Sequence, residues 1–163
     1  MSENQAVAAG TGTPAEQSGT GRTSTVLASG TERGRAMLVF HWALAVFLLL
    51  LAVQIFLAGL GAFRTATEGA DSAFAPHRTF GFALGAVALV ILVLALVARA
   101  GRAAVAGAAV LVVLTGFAQS LLAGLADDHA LFGGLHAFDG LAIIGITAWL
   151  WARSRPRKPH PSR

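Results

Sequence analysis

Apolar positions along this chain gather into four long runs separated by short polar breaks. The runs extend from about Leu38 to Ala62, Thr79 to Ala98, Ala103 to Ala123 and Leu131 to Ala152. Each holds about 20 residues or more, enough to cross a hydrocarbon layer of roughly 30 Å at 1.5 Å per residue. None alternates apolar and polar residues as a barrel strand does. Because every backbone amide in lipid must be paired internally, the pattern predicts four transmembrane helices. Ahead of the first run, residues 1–31 are mostly Gly, Ser, Thr, Ala, Glu and Gln, with almost nothing large and apolar to offset the entropy of ordering. Residues 1–35 are therefore expected to be a disordered tail, residues 36–153 the membrane domain and residues 154–163 a basic tail. The N-terminal stretch lacks the basic start and adjoining apolar core of a signal peptide. The segment from about Phe63 to Pro76 reads as the longest connection. The Arg99–Arg102 turn is short enough to make the second and third helices a tight antiparallel hairpin. No internal repeat is evident.

Composition turns four apolar runs into a membrane protein. Of 163 residues, 55% are hydrophobic and 12% charged, and mean hydropathy is +0.68. A soluble domain carries roughly 25% charged residues to cover its surface. The expected class is all-α, an integral membrane four-helix bundle of one domain. The chain has no cysteine, which excludes disulfides, iron–sulfur clusters, thiolate zinc sites and covalent c-type haem attachment. A net charge of +4 does not point to nucleic acid, because the basic residues flank the apolar runs. Arg33, Arg35, Arg99, Arg102, Arg153, Arg155, Arg157 and Lys158 all fall on one side of a four-span topology. The positive-inside rule then puts both termini in the cytoplasm, with Trp42, Trp149 and Trp151 near that boundary, and makes the bacterial cytoplasmic membrane the expected location.

Topology sorts the remaining polar residues. Helices one and three run outward, and helices two and four run inward. His77 and His136 then lie at one depth near the outer side, each followed four residues later by glycine, Gly81 and Gly140. Asp139 lies about one turn deeper than His136. Gln54 falls in the outer half of helix one, and Thr115 and Gln119 in the outer half of helix three. Each helix thus brings polar groups to the same half, and in hydrocarbon such groups are costly unless they pair with one another. Two facing histidines at one depth suit a haem iron. Gly81 and Gly140 would make room for a flat macrocycle, and Asp139 would orient a ring in the usual manner of a carboxylate beside a metal ligand. The alternative at each position is structural: amides bonding across helices, glycines allowing close helix approach, and Asp139 reaching interfacial water. His41 opens helix one on the far side and reads as an interfacial side chain. His129 beside Asp127 and Asp128 reads as a solvated acidic loop, and His160 lies in the basic tail.

Two resemblances meet on these residues. The strings Gln54-Ile55-Phe56-Leu57-Ala58-Gly59-Leu60-Gly61, Pro76-His77-Arg78-Thr79-Phe80-Gly81 and Leu135-His136-Ala137-Phe138-Asp139-Gly140-Leu141 resemble a family of small four-helix bacterial membrane proteins of unknown function, commonest in actinobacteria. That similarity covers roughly Met37 to Arg153 and implies fold and topology only. More loosely, the His41-Trp42 start of helix one and the His77-x-x-x-Gly81 start of helix two are similar to bacterial b561-type cytochromes. Those proteins hold b-type haem between histidines and exchange electrons with quinones. The resemblance implies His77 and His136 as outer haem ligands. Helix four has no histidine near its other end to partner His41, so one haem fits and two do not.

The leading expectation is an electron-transfer or redox-sensing protein with one bis-histidine haem b site, in which Asp139, Gln54 and Gln119 orient ligands or bind propionates or a quinone. The rivals are a non-catalytic membrane subunit or scaffold whose polar cluster is packing glue, and a metal-handling or transport-related protein using His77, His129, His136 and the aspartates. Partners expected beyond lipid are a redox partner, a second copy of the chain or a larger membrane complex. No P-loop, nucleophile-elbow or dinucleotide glycine signature is present, so an electron carrier is expected rather than a hydrolase or transferase.

Overall fold

A computed structural model describes the backbone of residues 20–155 and the side chains from residue 32. Among the described residues the chain is all helix and turn. The helices are α1 (Thr20–Glu68), α2 (Ala70–Val97), α3 (Arg102–Val113), α4 (Gln119–Leu125) and α5 (Ala130–Arg153), with a π-helical segment, Leu114–Ala118, joining α3 to α4. Four helical stretches are long and apolar enough to cross a membrane: Glu32–Glu68, Ala70–Val97, Arg102–Leu125 and Ala130–Arg153. The protein is a multi-pass, four-helix membrane protein. Most of the expected disordered tail, residues 1–19, lies outside the described part, as do residues 156–163 of the basic tail with His160, Arg157 and Lys158. Over residues 20–35 the backbone belongs to α1. A helix nucleated by an apolar run propagates readily into flanking residues, because extension adds one hydrogen bond per residue fixed.

Each helix buries one narrow stripe. On α1 it is Phe40, Leu44, Phe47 and Leu51; on α2 Leu84, Ala88, Ile91 and Ala95; on the third span Ala108, Leu111 and Thr115; on α5 Asp139, Ile143, Thr147, Leu150 and Ser154. Steps of three and four residues put each set on one face. The opposite faces expose Leu49, Phe56, Phe82, Val97, Phe117 and Leu141, as lipid contact requires. Each span packs on two others. α2 and α5 both pack on α3 and the π segment, and α1 closes the ring through bonds to α2 at one end and α5 at the other. α2 and α5 are therefore diagonal partners.

The connections differ from the sequence expectation. The stretch from Phe63 to Pro76 is not a long loop. α1 continues to Glu68, α2 begins at Ala70, and Gly69 alone turns the chain, at φ 76°, where a side chain would be strained. The added turns hold themselves together. Thr65 Oγ1 donates to the Gly61 carbonyl (2.9 Å), Arg64 pairs with Glu68 (2.7 Å), and Phe74 lies over Gly61 so closely that a Cβ there would stand 2.7 Å from the ring. The opposite turn, between α2 and α3, is short as expected. α2 closes with the Ala100 amide bonded to the Ala95 carbonyl and the Arg99 amide to the Leu96 carbonyl, both 3.0 Å. This is a Schellman turn, in which the left-handed position usually belongs to glycine. Here it is Arg99, at φ 49°. Replacing Arg99 with glycine relieves the Cβ–carbonyl crowding and is expected to stabilise the fold in detergent by about 1 kcal/mol, read as a rise in unfolding midpoint.

Candidate functional site

The polar groups of the loop-side half assemble in two matching pairs. On the first hairpin, the Gln54 side-chain Nε2 donates to the His77 carbonyl (3.0 Å), and His77 Nδ1 bonds the Gln54 carbonyl (3.2 Å). On the second, Gln119 Nε2 donates to the His136 carbonyl (3.0 Å), and His136 Nδ1 bonds the Gln119 carbonyl (3.1 Å). Each pair is a reciprocal clamp: a glutamine on an outgoing helix and a histidine on the returning one exchange side-chain-to-backbone bonds. A carbonyl can only accept, so Nδ1 carries a proton in both rings, and in the neutral ring Nε2 is then the atom with the lone pair.

The clamps expose a repeat that the linear pattern conceals. Gln54-Ile55-Phe56-Leu57-Ala58-Gly59-Leu60 and Gln119-Ser120-Leu121-Leu122-Ala123-Gly124-Leu125 agree at five of seven positions, and each is followed by His-x-x-x-Gly. The separation from glutamine to histidine is 23 residues in one half and 17 in the other. The expectation of no internal repeat is thus corrected. The unequal spacing, produced by the extra turns around Gly69, breaks a fixed period. Both hairpins run in the same direction, so they are parallel repeats about an axis along the bundle.

The histidines of the two halves meet on that axis. The His77 and His136 rings are 6.1 Å apart, centre to centre, and inclined at 70°. Phe74 stands edge-on to His77 at 6.2 Å. Both histidines and both glutamines are half-buried.

Asp139 breaks the symmetry. It is buried on the core stripe of α5 and accepts a hydrogen bond from the Gln119 amide at 2.7 Å. The equivalent position in the first half, three residues after His77, is Phe80. With no carboxylate there, Gln54 Nε2 itself lies 3.4 Å from His77 Nε2. Gln54 Oε1 and Thr115 Oγ1 are buried without a hydrogen-bond partner, so Thr115 adds polarity beside the pairs without bonding to them.

Gly81 and Gly140 both lie beside the clamps. A Cβ on Gly81 would stand 3.1 Å from Gln54 Nε2, and one on Gly140 would stand 3.9 Å from Gln119 Nε2. At Gly81 the missing side chain makes room for the Gln54 amide, whereas at Gly140 the distance is that of ordinary van der Waals contact. The π segment also bears on the site, since its defining bond, the Gln119 amide to the Leu114 carbonyl, sets the residue that clamps His136. A π turn adds one residue to a helical turn and so rotates the next part of the helix about its axis. No sequence signal marks it.

The other histidines lie elsewhere. His41 bonds Ser154 Oγ (2.8 Å) and stacks on Trp151 at 5.6 Å, at the end of the bundle that carries the termini. His129 is exposed at the start of α5, beside Phe132. Among the described residues no group of three or more His, Cys, Asp or Glu side chains is placed to hold one metal ion. Residues 54–126, which include Gln54, His77 and Gln119, match a protein family described as a family of unknown function (DUF6220). No curated protein and no solved structure matches the chain.

Proposed function

We propose that His77 and His136 would hold a single b-type haem, and that the protein carries electrons at the loop-side end of its membrane bundle. The observation that carries this reading is the ring-to-ring distance of 6.1 Å between two imidazoles whose Nδ1 protons are both committed to backbone carbonyls. Two metal–nitrogen bonds of about 2 Å put a pair of ligating nitrogens about 4 Å apart, a separation open to rings 6.1 Å between centres when both Nε2 atoms turn toward each other. A backbone carbonyl on the remote ring nitrogen is the usual device that holds a metal-ligating histidine in its tautomer and orientation.

The donor set fits an iron held by two neutral imidazoles. His136 Nε2 has no protein partner among the described bonds. His77 Nε2 gives up only the 3.4 Å contact with an amide already held at 3.0 Å by a carbonyl. Haem bound there would supply a one-electron couple. The chain's own residues fix the ligands: Gln54 and Gln119 set ring orientation through their carbonyls, and their side chains lock the helix turns that carry the histidines. Asp139 puts a carboxyl group on one side of the pair.

The dithionite-reduced absorption spectrum of protein purified from haem-replete cells tests the reading. Sharp α and β bands of low-spin b-type haem, at about one haem per chain, are expected. A featureless visible spectrum sinks it and leaves the clamps as structural ties, the role of a non-catalytic membrane subunit.

A further inference from the structure

A second polar feature lies at the opposite end of the bundle, where the first span begins and the last one ends. Three arginines gather at one corner. Arg33 Nη2 donates to the Arg99 carbonyl (3.3 Å), Arg99 occupies the left-handed turn position, and Arg102 opens α3 three residues later. The ion pairs among the described residues, Arg64–Glu68 and Arg78–Asp71, both lie at the other end. From this cationic corner a shallow groove bounded by Arg99, Gly101 and Arg102 runs along Val105, Ala106 and Ala109 of α3. A second groove, sharing Ala106, continues between α3 and α5 toward Gly145 and Trp149.

The two parts of this surface demand different things of an occupant. The mouth is cationic and sits where the polar boundary of the membrane meets the helix ends. The groove is apolar and faces hydrocarbon. A water-soluble anion satisfies the mouth alone, and a neutral lipid satisfies the groove alone. A phospholipid of net negative charge satisfies both. Basic pockets at the ends of transmembrane helices recognise anionic headgroups in this way, and arginine suits the task because its planar fork matches phosphate oxygens. We propose that Arg99 and Arg102 bind the phosphate of an anionic glycerophospholipid whose acyl chain lies along Val105, Ala106 and Ala109. This site is independent of the histidine pair.

Native mass spectrometry of the delipidated full chain, titrated with dioleoyl phosphatidylglycerol or dioleoyl phosphatidylcholine, tests the proposal. One phosphatidylglycerol is expected to be retained in preference to phosphatidylcholine. Arg102→Gln and Arg99→Gly are each expected to weaken it about fivefold, the effect of one basic residue at a charged membrane surface. Arg99→Gly separates the site from folding, because the substitution eases the turn while removing the guanidinium. Arg64→Gln, at the other end, should leave retention unchanged. Equal retention of the two lipids, or undiminished phosphatidylglycerol binding in Arg99→Gly and Arg102→Gln, overturns the proposal. So does competition by glycerol phosphate at equal concentration, which would reduce the site to its mouth. A dimer without lipid adducts would assign the groove to a second copy of the chain and also overturn it.

Discussion

His136→Ala and His77→Ala are each expected to abolish the low-spin b-type spectrum, and the double substitution to do no more than either alone. The two rings would act as one unit, because a site that has lost one of its two imidazole donors would no longer hold haem in the form that gives sharp reduced bands. Bound haem, assayed after extraction as its pyridine complex, should fall at least tenfold in each variant, the scale on which ligand-shell losses reduce metal affinity. Folding should survive, since each substitution removes one hydrogen bond from ring to carbonyl, worth about 1 kcal/mol. Unchanged helical circular dichroism alongside a lost visible spectrum is thus the expected pair of readings. An undiminished α band in either single variant would exclude that histidine as a ligand.

The second large effect is an inequality between two positions that the repeat makes equivalent. Gln119→Leu is expected to destabilise the protein by about 3 kcal/mol, and Gln54→Leu by about 1 kcal/mol. Each loses the bond to a histidine carbonyl. Only Gln119 also holds a buried carboxyl group, at 2.7 Å, and removing that donor leaves Asp139 without its partner in an apolar setting. Gln54→Leu, by contrast, deletes an oxygen that has no partner to lose. Replacing both Gln119 and Asp139 with leucine should recover most of the lost stability, because a mutually satisfied pair can give way to apolar side chains at little cost. Denaturant unfolding in micelles measures all of these variants. Equal losses for Gln54→Leu and Gln119→Leu would show that Asp139 does not depend on the amide.

Much of this arrangement is legible in the chain. Hydropathy gives the number of spans, since twenty apolar residues in lipid leave the backbone little choice but helix. Same-side topology brings His77, His136, Gln54, Gln119 and Asp139 into one half of the bundle. What hydropathy lacks is rotation and pairing. Which partner Asp139 finds depends on where Gln119 points, and a π turn with no sequence signature lies immediately before it. The helical continuation through Thr65 and Glu68 depends on local bonds among polar residues that, read alone, resemble a loop. Reading Gly81 and Gly140 as space for a macrocycle rests on their spacing beside histidine. The glutamines that lie beside these glycines come 27 and 21 positions earlier in the chain. The repeat is readable in Gln-x-x-Leu-Ala-Gly-Leu, yet a search at constant period passes over it because the two hairpins differ in length.

Parallel duplication has one more consequence, for the order of the chain itself. The hairpins run in the same direction and contribute matching halves of the site. The start of the membrane part of α1 touches the end of α5 through His41 and Ser154, at the same end of the bundle as the Arg99–Arg102 turn. In this architecture the link between hairpins and the gap between termini occupy interchangeable places. Which hairpin comes first is therefore immaterial to the histidine pair, which needs one ring from each.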